Sequence, residues 1–105
     1  MADLTQEEWT KQLKEDKNAI VLDVRTQNEV SEGIIPKAKH IDILQPQRFV
    51  DQIKELDKDK SYYVYCRVGG RSAQACEIMK QLGFNQTYNL IGGISEWTGE
   101  RSKLS

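Results

Sequence analysis

The stretch Tyr62-Tyr-Val-Tyr-Cys-Arg-Val-Gly-Gly-Arg-Ser72 decides the fold: a short apolar strand runs into a cysteine, and a glycine-rich loop then carries the chain into a helix. Such a loop points backbone N–H groups, the positive end of the following helix, and Arg67 and Arg71 at one sulfur, which reads Cys66 as a thiolate nucleophile. A thiol with an unperturbed pKa of ~8.5 is mostly protonated at neutral pH, and a helix N-terminus with nearby arginine lowers that value by about one to several units. No histidine base is then required. Gly69 and Gly70 allow backbone angles that side chains resist and leave room for a ligand to approach. The loop by itself also admits a plainer reading, a strand-to-helix turn in which Cys66 packs as a small hydrophobe.

Downstream, the spacing predicts a helix from Arg71 to Leu82 with Ala75, Ile78, Met79 and Leu82 on one apolar stripe, ended by Gly83. A strand follows from Asn85 to Leu90, then a final helix over Gly92-Gly-Ile-Ser-Glu-Trp-Thr98 with Ile94 and Trp97 turned inward. Upstream, Ser61 to Tyr65 is the strand that delivers Cys66, and the charged run Asp57-Lys-Asp-Lys60 is a solvated connector. A helix from about Pro46 to Leu56 begins where proline is tolerated, and Ala38 to Ile43 alternates as a brief strand. Gly33-Ile-Ile-Pro36 breaks a short helical turn entered from Arg25. Ala19-Ile-Val-Leu-Asp-Val24 is a continuous apolar run that suits a strand buried on both faces and leaves Asp23 near its carboxyl end. Thr5 and Glu8 form a capping-box pattern ahead of Trp9 and Leu13, so a first helix runs from near Thr5 to about Lys14.

Alternating strands and helices imply an α/β domain with a mainly parallel sheet and helices on both faces. Ligands bind beyond the carboxyl strand ends of such a sheet, which is where Asp23, Arg25 and Cys66 fall. The 105 residues make one domain, 1–105. Apolar residues at 38% and charged residues at 30% describe a globular chain, and a formal net charge of −1 argues against a general nucleic-acid binder. No apolar run reaches membrane-spanning length, and Met1-Ala-Asp-Leu-Thr-Gln-Glu-Glu8 lacks the order of an export signal, so the expected compartment is the cytoplasm. Cys66, Cys76 and one histidine supply neither a disulfide framework nor a zinc site, and both thiols are expected to be unpaired.

Four ordered landmarks resemble the rhodanese family. Cys66-Arg-Val-Gly-Gly-Arg-Ser72 is similar to its active loop, and Leu22-Asp-Val-Arg25 with Glu29 to its Asp-Val-Arg motif. Gly33-Ile-Ile-Pro-Lys-Ala38 resembles its Gly-His-Ile-Pro-Gly-Ala, with Ile34 in place of His and Lys37 in place of Gly, and Leu90-Ile-Gly-Gly-Ile-Ser-Glu-Trp97 resembles its closing segment. The two departures lie outside the loop and bear on local packing. The resemblance implies a single rhodanese-like domain around a five-stranded sheet, and a ping-pong sulfurtransferase of the thiosulfate type that needs no cofactor. Cys66 would take a sulfane sulfur from a donor such as thiosulfate or a persulfide, become a persulfide, and pass the sulfur to cyanide or a thiol.

By position in the motif, the N–H groups of residues 67 to 71 would cradle the outer sulfur, which makes Arg67, Val68, Gly69, Gly70, Arg71 and Ser72 the substrate-binding set. Arg71 would orient the loop and help hold an anionic donor, while Arg67 would attract it from solution. Asp23, Arg25 and Glu29 are supporting residues, with Asp23 and Glu29 favoured as braces over proton transfer. Cys76 is favoured as a packing thiol over a resolving cysteine, and the lone His40 as a packed or partly exposed residue over a catalytic one. Tyr62, Tyr63 and Tyr65 are sheet packing, and Trp9 and Trp97 lie in or near the core.

A cysteine phosphatase loop places five residues between Cys and Arg, whereas four separate Cys66 from Arg71, too tight for a tetrahedral phosphate. Two other readings stay open, an intracellular persulfide carrier serving sulfur-relay proteins and a non-catalytic sulfur-sensing or interaction module. The chain is expected to act as a monomer, with no nucleic-acid or membrane partner.

Overall fold

A computed structural model of the chain describes residues 2–103; Met1, with which the expected absence of an export signal begins, and Leu104 and Ser105 of the expected domain 1–105 lie outside them. The elements are β1 (Ala2–Leu4), α1 (Gln6–Glu15), β2 (Ala19–Asp23), α2 (Gln27–Val30), β3 (Lys39–His40), α3 (Pro46–Lys54), β4 (Ser61–Tyr65), α4 (Gly70–Gln81), β5 (Thr87–Leu90) and a 3₁₀ turn, Ile94–Glu96. The strands form one sheet in the order β1-β5-β4-β2-β3, every pairing parallel.

Thr5 caps α1 and Thr26 caps α2, each through a reciprocal bond with a glutamate three residues on, Glu8 and Glu29. Pro46 opens α3, where its missing N–H removes no helical bond. All five residues of β4 are buried, yet they divide between two cores. Tyr62 and Val64 join Leu22, Phe49, Ile53, Ala75, Cys76 and Met79 beneath α3 and α4, with Ile78 and Leu82 packed against them. Tyr63 and Tyr65 join Trp9, Val30, Leu90 and Ile94 on the opposite face, with Trp97 against them. Trp9 meets Tyr63, Tyr65 and Trp97 edge-on, at centroid distances of 5.8, 6.4 and 5.7 Å.

Three features differ from the sequence reading. The fifth strand is β1, which pairs only with β5; three residues are too few to show a period. The strand expected over Ala38–Ile43 contracts to Lys39–His40, because only Leu22 and Asp23 of β2 offer it partners. The final helix is a single 3₁₀ turn, preceded by Gly93 at φ 57° and ending at Trp97 in extended backbone. Of the two departures from the family motif, Ile34 is buried and pairs its backbone with Ser102. Lys37 takes φ 70°, alone among the non-glycine residues described. No helix among the described residues is long and apolar enough to cross a membrane.

The sheet order creates a crevice. The chain leaves β2 towards β3 on one side and leaves β4 towards β5 on the other, so the carboxyl ends of β2 and β4 open a gap between diverging connections. Asp23 and Tyr65 are register partners at that end, and Cys66 is the next residue.

Candidate active site

Cys66 follows β4 directly, and its side chain is fully covered. Gly69, at φ 110°, turns the loop back so that its N–H donates to Cys66 Sγ at 3.1 Å, and it is the residue from which α4 starts. The positive end of a twelve-residue helix therefore faces the sulfur. Burial pushes the Cys66 thiol up, but hydrogen bonding from the Ser72 hydroxyl and from the amides of Ser72, Gly69 and Val68 outweighs it and holds the thiol below its ordinary value. Cys76, also buried but without such a cradle, is pushed up to about 12 by desolvation.

Gly69 and Gly70 serve different ends. A Cβ at Gly69 would sit 3.5 Å from the Leu90 carbonyl in a conformation that resists side chains, whereas at Gly70 nothing lies within 4 Å. The space over Gly70 is the open side of the loop. The loop is held from the far side by the 3₁₀ turn: the Ile94 N–H donates to the Cys66 carbonyl and the Ser95 N–H to the Arg67 carbonyl, both at 3.0 Å. This approach requires Gly93, where a Cβ would fall 2.4 Å from the Arg67 oxygen.

Arg71 donates to both oxygens of Glu29, at 2.7 and 2.8 Å, and thereby ties the start of α4 to α2. The Arg71 guanidinium, with help from the Thr26 cap, lowers Glu29 to about 2. Asp23 receives Arg25 through its Nε and terminal nitrogen, and the same Arg25 nitrogen donates to the Gly33 carbonyl at 2.7 Å. That buried pair braces the segment after β2, and Arg25 also lies over the Tyr65 ring at 5.6 Å. The Tyr65 hydroxyl accepts from the Ile35 N–H at 3.0 Å. His40 Nε2 sits 2.6 Å from the Arg25 carbonyl, which ties it to that segment.

Arg67 is exposed; it lines a cleft beside the loop with Glu32, Ser95 and Arg101. Val68 and Ile91, 65% and 51% exposed, stand at the same end of the sheet. The structure thus brings Cys66, the loop and the Glu29–Arg71 pair together at one sheet end, with Asp23 and Arg25 behind them. Sequence reasoning did not single out Asn89, which is buried and faces Ser72. The available signal was an amide between Tyr88 and Leu90 in a strand expected to be buried, where it is obliged to find partners.

The chain as a whole is similar to known proteins. A family model described as "Rhodanese-like domain" matches residues 6–100. The chain is 39% identical over 88 residues to the "Putative sulfurtransferase YtwF" of Bacillus subtilis, covering 84% of this chain and 82% of that protein. It is 34% identical over 96 residues to a "Sulfurtransferase" of Allochromatium vinosum, covering 90% and 86%. Among solved structures, a rhodanese-like domain protein from Staphylococcus aureus superposes over the full length of both chains with a TM-score of 0.84 at 32% identity.

Proposed function

The chain belongs to the rhodanese-like domain family, and from that membership we propose that it is a sulfurtransferase that carries sulfur on Cys66. The observation that carries this reading is the cradle: a fully covered sulfur at the N-terminus of α4, receiving the Gly69 amide at 3.1 Å. In the first half-reaction the Cys66 thiolate attacks the outer sulfur of thiosulfate or of a persulfide. The Sγ–S bond forms, the S–S bond of the donor breaks, and sulfite or a thiolate leaves with the electron pair. In the second, cyanide or a thiolate attacks the outer sulfur of the Cys66 persulfide and Sγ departs as the thiolate again. The loop amides stabilise the negative sulfur in both resting states.

Arg71 acts through Glu29 to hold the loop, since its guanidinium is already engaged at 2.7 and 2.8 Å. Attraction of an anionic donor falls to Arg67, exposed at the edge of the cleft. The same engagement of Arg71, together with the short loop, disfavours a phosphate clamp. Steady-state kinetics with thiosulfate and cyanide test the reading. Sustained thiocyanate production that Cys66→Ser abolishes is expected. Uptake of one sulfur without turnover would mark a carrier instead, and neither uptake nor turnover with any sulfane donor would leave an interaction module.

A further inference from the structure

The Cys66 sulfur meets one hydroxyl, Ser72 Oγ, at 3.3 Å. That hydroxyl also faces the Gly69 carbonyl at 3.2 Å and Asn89 Oδ1 at hydrogen-bonding distance. A hydroxyl has one proton, so three acceptors compete for it. The Asn89 amide decides the competition. Its Nδ2 lies 2.9 Å from the Asp3 carboxylate and 3.3 Å from the Gly69 carbonyl. Both of those groups only accept, so the amide must turn its two N–H bonds towards them. Oδ1 then faces Ser72 with no proton to give, and Ser72 must be the donor. With its proton directed at Asn89, Ser72 offers Cys66 a lone pair, which suits S–H and opposes S⁻.

We propose that Asn89 is a positioning residue for the sulfur chemistry: it holds the Ser72 proton while Cys66 is a thiol, and ionisation of Cys66 draws that proton across to the sulfur at the cost of the Ser72–Asn89 bond. The inference rests on the reading of Cys66 as the ionising nucleophile. The loop amides donate to the sulfur in either state, and only the hydroxyl reverses. Asn89 thereby keeps the thiolate less stable than the loop alone would make it. This favours reactivity, because sulfur nucleophilicity falls with pKa and an attacking thiol works best with its pKa near the ambient pH.

Ser72 is fully buried and Asn89 is 4% exposed, so water does not stand in for either partner. The charged and titratable groups around them are Arg71 and Cys76 of α4, Asp3 of β1 behind Asn89, Arg67 in the loop, and Glu29 and Asp42 beyond Arg71. Both Asn89 variants take the amide away from Asp3, a change that the double-mutant cycle subtracts, whereas Arg71 and Glu29 keep each other.

The test is the pH titration of Cys66, read as the ultraviolet thiolate absorbance that Cys66→Ala lacks, in a double-mutant cycle. Asn89→Ala is expected to shift the titration to acid by about one pH unit, because Ser72 is then released to the sulfur. Asn89→Leu, closer in volume, serves as a second variant with the same expected shift. Ser72→Ala is expected to move the titration alkaline by about one unit when Asn89 is already alanine, and by clearly less in the otherwise unchanged chain. An Asn89→Leu titration that is unmoved or alkaline, or a Ser72→Ala shift equal in both backgrounds, overturns this inference alone. A Cys66 that stays a thiol from acid to alkaline pH, giving no thiolate absorbance wherever the protein remains folded, overturns the inference and the proposed function together.

Discussion

Both arms of the Arg71 guanidinium rest on Glu29, and Glu29 is at once the third residue of α2 and half of its capping box. One carboxylate therefore starts a helix and fixes the loop around Cys66. Arg71 first, and the Thr26 cap with it, lower Glu29 from an ordinary 4.5 to about 2. A folded-state value below the unfolded one means that the stabilisation is complete above pH 4.5 and is lost as pH falls towards about 2. Urea midpoints of the unchanged protein and of Glu29→Gln should thus differ most above pH 4.5, with Glu29→Gln the weaker, and converge as pH approaches 2. A gap that stays constant over that range would remove the ionic role assigned to Glu29. At this scale the sequence was explicit about Cys66, because cysteine, glycines and arginines cluster within seven residues. It was silent about which acid meets which base: nothing local joins residue 29 to residue 71, and only the sheet order does.

Among the elements, the segment between α2 and β3 carries the clearest conflict between local preference and position. Lys37 sits at φ 70°, where a Cβ crowds the backbone and glycine does not. Lys37→Gly should stabilise the protein by about 1 kcal/mol, the relieved strain exceeding the added freedom of the unfolded chain. Denaturant unfolding measures it, and a destabilisation would show that the Lys37 side chain contributes more than its backbone costs. The long elements were legible because their signals are chemical and local: the Thr5–Glu8 and Pro46 starts and the Ala75–Met79 stripe. The shortest were read less well: β1, of three residues, was missed, and β3, of two, was expected over Ala38–Ile43, since both exist because a neighbouring strand offers an edge. The closing turn became 3₁₀ because its amides must reach the Cys66 and Arg67 carbonyls, a demand set across the fold by Gly93.

For the whole molecule, the sheet divides two cores, and the loop depends on both. Cys66 belongs to the core under α3 and α4, while Ile94, which holds its carbonyl, belongs to the other. Trp9 anchors that second core, fully buried against Tyr63, Tyr65 and Trp97. Trp9→Ala should cost about 3–5 kcal/mol, a large share of the roughly 5–15 kcal/mol that holds a domain of this kind together. Thermal unfolding should show a drop of well over ten degrees, about 4–8 °C per kcal/mol for a domain near this size, and a loss of less than about 1 kcal/mol would contradict the packing described. The α/β class and the placement of Asp23, Arg25 and Cys66 at carboxyl strand ends were readable from alternation alone. Strand order was not, since no residue states which edge it joins.

The central claim is that Cys66 carries sulfur in the amide cradle at the start of α4, and intact mass measures it most directly. After incubation with thiosulfate the protein should gain the mass of one sulfur atom, cyanide should remove it, and Cys66→Ala should never acquire it. A protein that gains no mass from thiosulfate or from a low-molecular-weight persulfide, or whose Cys66→Ala variant gains it equally, would contradict the account.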